Sequence, residues 1–163
     1  MKKKLWISIL IVGIAIGGFY SFVKFNSPLE VGTIASSGDR QSVVVEVGNK
    51  GIGEVKIVNV LVNNDEEPLK TKVQISNVLQ GFTITKDFNS PESKKYGFRD
   101  IEDTMIEAGT SPSVQYQKSD DGTATNKDKS YGVSVLHTET IHKVNIEYKY
   151  FGLTCNETIS IAN

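Results

Sequence analysis

The chain of 163 residues has one cysteine, one tryptophan, two histidines and four prolines. A single cysteine excludes an internal disulfide framework and any Cys-rich zinc module. Neither charge sign dominates: 18 Lys and Arg stand against 19 Asp and Glu, a formal net charge of −1. Global charge therefore gives no sign of a nucleic-acid binder. The length suits one ordinary domain and excludes a large multidomain enzyme. No Gly-x-Ser-x-Gly elbow, His-Glu-x-x-His run or arginine-rich stripe is present.

What is present is uneven. Residues 1–27 carry Lys2, Lys3, Lys4 and Lys24 and no acid, whereas residues 28–163 carry 14 basic and 19 acidic side chains. The near-neutral total thus averages +4 and −5. Between Lys4 and Lys24 lie 19 uncharged, mostly apolar residues, 5–23. As a helix they span roughly 28 Å, close to the hydrocarbon thickness of a bilayer. Trp6 and Tyr20 sit where interfacial aromatics are favoured, and the lysine cluster predicts a cytoplasmic N-terminus. The expected organisation is a short tail and transmembrane signal anchor over residues 1–27, followed by an exported domain over 28–163.

A cleaved signal peptide is the alternative, and would leave a secreted protein. Gly13-Ile14-Ala15 and Ala15-Ile16-Gly17 satisfy the small-residue rule for cleavage, but they lie inside the apolar run rather than after it. The anchor is therefore the preferred reading. No cysteine lies at the end of the run to carry a lipid.

From Pro28 onward the pattern becomes short, period-two segments bounded by Gly, Asn, Asp and Pro, the mark of strands and turns. Residues 41–49 put Val43, Val45 and Val47 on one face, and Gly48-Asn49-Lys50-Gly51 reads as a tight hairpin turn. Residues 54–63 are apolar on both faces, as in a central or bulged strand, and Asp65-Glu66-Glu67-Pro68 ends them. Residues 70–77 predict a half-buried strand whose Lys70, Lys72, Gln74 and Ser76 face solvent. Phe82 and Ile84 suggest a further short strand, while Phe98, Ile101 and Met105 also fit a helical turn. Residues 117–130, with Ala124 alone among apolar residues, read as a solvated loop. Three closing strands, carrying Tyr131, Val133 and Val135, then Val144, Ile146, Tyr148 and Tyr150, then Leu153, Cys155, Ile159 and Ile161, are expected to form a meander. Seven to nine strands without a long amphipathic helix in the exported part make the fold all-β, an antiparallel sandwich.

The run Val43-Val44-Val45-Glu46-Val47, the Asn49-Lys50-Gly51 turn, residues 106–111 and residues 144–152 together resemble immunoglobulin-like modules of bacterial membrane-anchored surface proteins. The resemblance implies an Ig-like β-sandwich acting as a binding or spacer module outside a single-membrane bacterium. It implies no catalytic residues, and the Cys, Trp, Cys hallmark of antibody domains is absent because the only Trp is Trp6.

Several constellations bear on chemistry. In His137-Thr138-Glu139-Thr140-Ile141-His142, a hairpin centred on Glu139-Thr140 would make His137 and His142 cross-strand partners. Two imidazoles and a carboxylate suit zinc, which usually takes a third or fourth ligand from elsewhere. A histidine pair capping the end of the core is the preferred reading, so no metal or other cofactor is assigned. Cys155 in Phe151-Gly152-Leu153-Thr154-Cys155 matches only the last two residues of the sortase Thr-Leu-x-Thr-Cys motif, and no arginine follows it. A buried small hydrophobe fits better. The glycines of residues 48–53 lack phosphate-loop spacing. Asp120-Asp121-Gly122 with Asn126 and Asp128 offers oxygens for calcium without EF-hand spacing. Asn156-Glu157-Thr158 is a glycosylation sequon only in a eukaryotic secretory route.

The expected role is an interaction or structural module at the bacterial cell envelope, anchored through residues 5–23, with an envelope protein or wall component as partner. The alternatives are an envelope enzyme and a ligand sensor. A sensor would need a partner helix, because residues 1–4 are too short a tail for an effector.

Overall fold

The computed structural model describes residues 2–162. Helix α1, Lys2–Phe25, has no proline to interrupt it, and its stretch Trp6–Val23 is long and apolar enough to cross a membrane, with a mean hydropathy of 2.1. Both the backbone and side-chain amides of Asn26 donate to Phe22 O at 3.0 Å, which closes the last turn. Pro28, with its fixed φ and missing N–H, ends it. Most described side chains of α1 are exposed. Val23 is the exception and belongs to the core of the domain.

Nine strands follow among the described residues: β1 Leu29–Ser36, β2 Ser42–Asn49, β3 Val55–Val62, β4 Lys70–Asn77, β5 Gly97–Arg99, β6 Met105–Ile106, β7 Lys129–Leu136, β8 Lys143–Tyr150 and β9 Leu153–Ser160. They make two antiparallel sheets, one in the order β1-β2-β7-β4-β5 and the other β6-β3-β8-β9. The sandwich core lies between them. One sheet contributes Val43, Val45, Val47, Tyr131, Val133 and Val135, and the other Val55, Ile57, Val60, Val62, Val144, Ile146 and Tyr148. Each fully buried Val or Ile stabilises the fold by about 1.5–3 kcal/mol, so these alternating positions are what hold the two layers together. The chain is mostly β, as expected, and the core-facing parity of β2, β7 and β8 is borne out.

Strand β3 explains its own two-sided composition. Its register with β8 shifts between Ile57 and Asn59, a bulge that carries the core-facing set from Val55 and Ile57 to Val60 and Val62.

Five expectations are corrected. The glycine-rich residues 48–53 do not close a hairpin, because β2 and β3 belong to different sheets. Close approach, rather than positive φ, requires the glycines there: a Cβ on Gly48 would lie 2.1 Å from Thr110 O, and one on Gly51 2.5 Å from the Tyr150 hydroxyl. Nor do the last three strands form a meander. Strand β7 lies in the first sheet, and only β8 and β9 pair, through a two-residue turn in which Phe151 and Gly152 have φ of 48° and 79°. That is the all-positive geometry whose twist matches a hairpin.

The polar face of β4 is only half in solvent: Lys70 is exposed, but Gln74 and Ser76 are buried. Residues 78–96 run over the outside of the five-stranded sheet as an irregular strap rather than a strand. Phe82 lies over Gly132, where a Cβ would come within 2.7 Å of its ring, and Ser42 Oγ donates to Thr85 O at 2.7 Å. Finally, residues 117–120 are not loop. They finish helix α2, Pro112–Asp120, which covers the outer ends of β1 and β2. Covered on both faces, β2 is buried at every position.

Helix α2 is held by polar contacts, which is why hydrophobic periodicity does not reveal it. Glu30 of β1 accepts from Ser113 N at 3.0 Å and from Ser111 Oγ at 2.9 Å, supplying an acceptor that the N-terminus of a helix needs. Buried Glu46 of β2 accepts from the Tyr116 hydroxyl and from Thr33 N.

Candidate functional site at the polar end of the sandwich

The strands run so that α1, the 50–54 connection and the β8–β9 turn lie at one end, while residues 37–41, 63–69 and 137–142 meet at the other. The distal loops interlock through backbone and amide groups. His137 N donates to Gln41 O and Ile141 N to Arg40 O, both at 2.9 Å, and the Gln41 side-chain amide donates to Thr138 O at 2.6 Å. Asn63 joins the remaining loop: its amide donates to Thr140 O at 3.1 Å and its carbonyl accepts from His142 N at 2.9 Å. Fully buried Ile141 plugs the core beneath.

Arg40, Asn63 and Asp65 have positive φ, three of the four such non-glycine residues among those described. Left-handed backbone costs roughly 1 kcal/mol or more per residue and persists only where the surroundings over-determine it. The result is a concavity of about 690 Å3, bordered by Gln41, Asn63, Glu66, Glu139, His142 and Lys143. Acids, a cation, an imidazole and amides share its rim, a set suited to hydrogen-bonding a polar surface.

The histidine pairing expected from the sequence is overturned. Because β7 and β8 lie in different sheets, residues 137–142 bridge the two layers instead of turning a hairpin. His137 is mostly buried, with Nε2 3.3 Å from Glu66 Oε2, whereas His142 and Glu139 border the concavity. Among the described residues, no three His, Cys, Asp or Glu side chains group closely enough to hold a metal ion. Sequence reasoning missed Gln41, Asn63 and Glu66. The Asn63-Asn64-Asp65 run, rich in residues that tolerate left-handed backbone, was the available signal.

Cys155 is partly exposed in β9 opposite Tyr148. It belongs to the α1 end of the sandwich, roughly 20 Å along the strand from His142. The oxygens of Asp128 are occupied by Lys118 and by the Thr125 amide and hydroxyl, so this acid closes the turn after α2.

At the α1 end a smaller cleft of about 370 Å3 lies between the helix and the β8–β9 hairpin, bordered by Tyr20, Val23, Ser27, Tyr148 and Cys155. The Tyr148 hydroxyl shares a 2.9 Å hydrogen bond with Ser27 Oγ, and burial pushes this phenol up to about 12. The rings of Phe19 and Phe151 meet edge to face at 5.6 Å.

No family model, curated protein or solved structure matches the chain.

Proposed function

We propose that the chain is a single-pass protein of the bacterial cell envelope. Residues 5–23 anchor it, and its N-terminus is cytoplasmic. The exported Ig-like sandwich, residues 28–163, works as an interaction or structural module. Two face-to-face antiparallel sheets support the Ig-like reading.

The observation that carries the proposal is the polarity of the domain. An apolar helix of membrane length leaves one end, and its last turn is part of the core through Val23. Polar loops joined by hydrogen bonds occupy the opposite end, where a membrane-anchored module meets its partner. Removing α1 would uncover the core surface under Val23, which supports an uncleaved anchor over secretion. The partner is an envelope protein or a wall component, met by the polar rim at Glu66, Glu139, His142 and Lys143.

Photocrosslinking in intact cells tests this. A photoreactive residue at Glu139 is expected to trap a discrete envelope protein or wall fragment, and one at Lys127, on the loop after α2, is not. Equal yields at both positions, or none at 139, would remove the distal loops from the account.

A further inference from the structure

The end of the sandwich nearest α1 carries exposed apolar side chains that the core does not use. Ile52 is 84% exposed, Phe25 83% and Phe151 49%. The local backbone brings Phe151 and the connection that carries Ile52 together. Gly53 has no Cβ, and one placed there would lie 2.8 Å from the Phe151 ring, so the aromatic rests directly on the 51–53 connection. Ile52 N donates to the Tyr150 hydroxyl at 3.1 Å, which fixes that connection against the hairpin.

Phe151 also breaks a local rule. With φ of 48° it holds a turn position where Asn, Asp or Gly is usual, and a bulky residue there is strained. The sequence places a large apolar ring where backbone sterics oppose it and where the core does not bury it.

Depth along α1 supplies the reason. The stretch Trp6–Val23 is about 27 Å long, and Phe19 lies four residues, about 6 Å, short of its outer end. A ring contact at 5.6 Å places Phe151 beside Phe19, level with the apolar stretch and not beyond it. If α1 crosses the bilayer, the hairpin tip cannot be in bulk water.

We infer that the β8–β9 tip and the 51–53 connection are seated in the outer interface of the lipid bilayer, with Ile52 and Phe151 inserted among the acyl chains. The inference rests on the anchored reading given above. Lys50 and Glu54 flank Ile52 and cancel in charge, so insertion is apolar and requires no anionic headgroup. Helix, tip and connection then touch the membrane at three points. The sandwich is thereby held upright, with its distal loops about 27 Å, one eight-residue strand, above the interface.

The test uses the full chain, carrying Cys155→Ser, reconstituted in phosphatidylcholine vesicles. A nitroxide is attached in turn through Ile14→Cys, Ile52→Cys and Glu139→Cys, all at exposed sites, so the fold is not threatened. Collision with oxygen should exceed collision with a water-soluble nickel chelate several-fold at 14 and 52, and the order should reverse at 139. In the Ile52 variant, a further Phe151→Asp change should move the label toward water. Lipid exposure at 14 with water exposure at 52 would overturn the inference and leave the anchor standing. Water exposure at both would overturn the two together.

Discussion

Gln74 and Thr83 exchange two hydrogen bonds on the outside of the five-stranded sheet: Gln74 Nε2 donates to Thr83 O at 2.7 Å, and Thr83 N donates to Gln74 Oε1 at 2.9 Å. The same Nε2 lies 2.6 Å from Ser134 Oγ. One fully buried amide thus pins the strap to both β4 and β7. Gln74→Leu would leave the Thr83 amide and carbonyl without partners, a cost of about 2–4 kcal/mol. Urea unfolding should show that loss, and limited proteolysis should cut residues 78–96 first.

Glycine positions should separate by what a Cβ meets. Gly48→Ala would press on the Thr110 carbonyl and on the Pro112 ring, neither of which moves freely, and should cost at least about 2 kcal/mol. Gly109→Ala meets no atom within 4 Å but must adopt φ of 77°, costing about 1 kcal/mol. Gly38→Ala meets neither obstacle and should be neutral or stabilising by up to about 1 kcal/mol. Denaturant midpoints of the three variants test the ranking.

Acid should loosen α2 before the sandwich. Burial pushes Glu30 up, but the Ser113 amide and hydroxyl, the Ser111 hydroxyl and the Lys50 charge together hold it below its ordinary 4.5. Lys118 and the Thr125 hydroxyl and amide bring Asp128 down to about 2 from 3.8. Both carboxyls take up protons more readily in the unfolded chain. Their contribution is therefore complete above the ordinary carboxylate range and is lost as pH falls through the lowered folded values. Amide exchange at Ser113 and Gln115 should accelerate between about pH 5 and about pH 2, relative to Val45. Glu30→Gln should show fast α2 exchange already at neutral pH.

Much of the fold was legible because it follows from side-chain parity. Val133 and Val135, or Val144 and Ile146, announce a core face, and the doubled apolar faces of residues 54–63 announce the bulge in β3. Parity names the face of a strand but not its neighbour. Nothing in His137 through His142 distinguishes a hairpin from a crossover between sheets, so the histidine pairing failed there. The covering layer was hidden for another reason. Helix α2 and the strap contact the sheet through Tyr116 on Glu46, Ser113 on Glu30 and Thr83 on Gln74, polar pairs that read as solvent-facing residues until they are brought together. The distal site was half visible, in Glu139 and His142, while Asn63 and Gln41 work through amides whose partners lie far away in sequence.

The central claim is that the sandwich stands outside the membrane on an uncleaved helix with its polar loops facing away. Substituted-cysteine labelling tests it most directly, using Glu139→Cys with Cys155→Ser in intact cells and a membrane-impermeant maleimide. The account predicts labelling without lysis of a full-length protein that stays with the membrane fraction through an alkaline wash. Labelling only after lysis, or recovery of a shortened labelled protein from the medium, would contradict it.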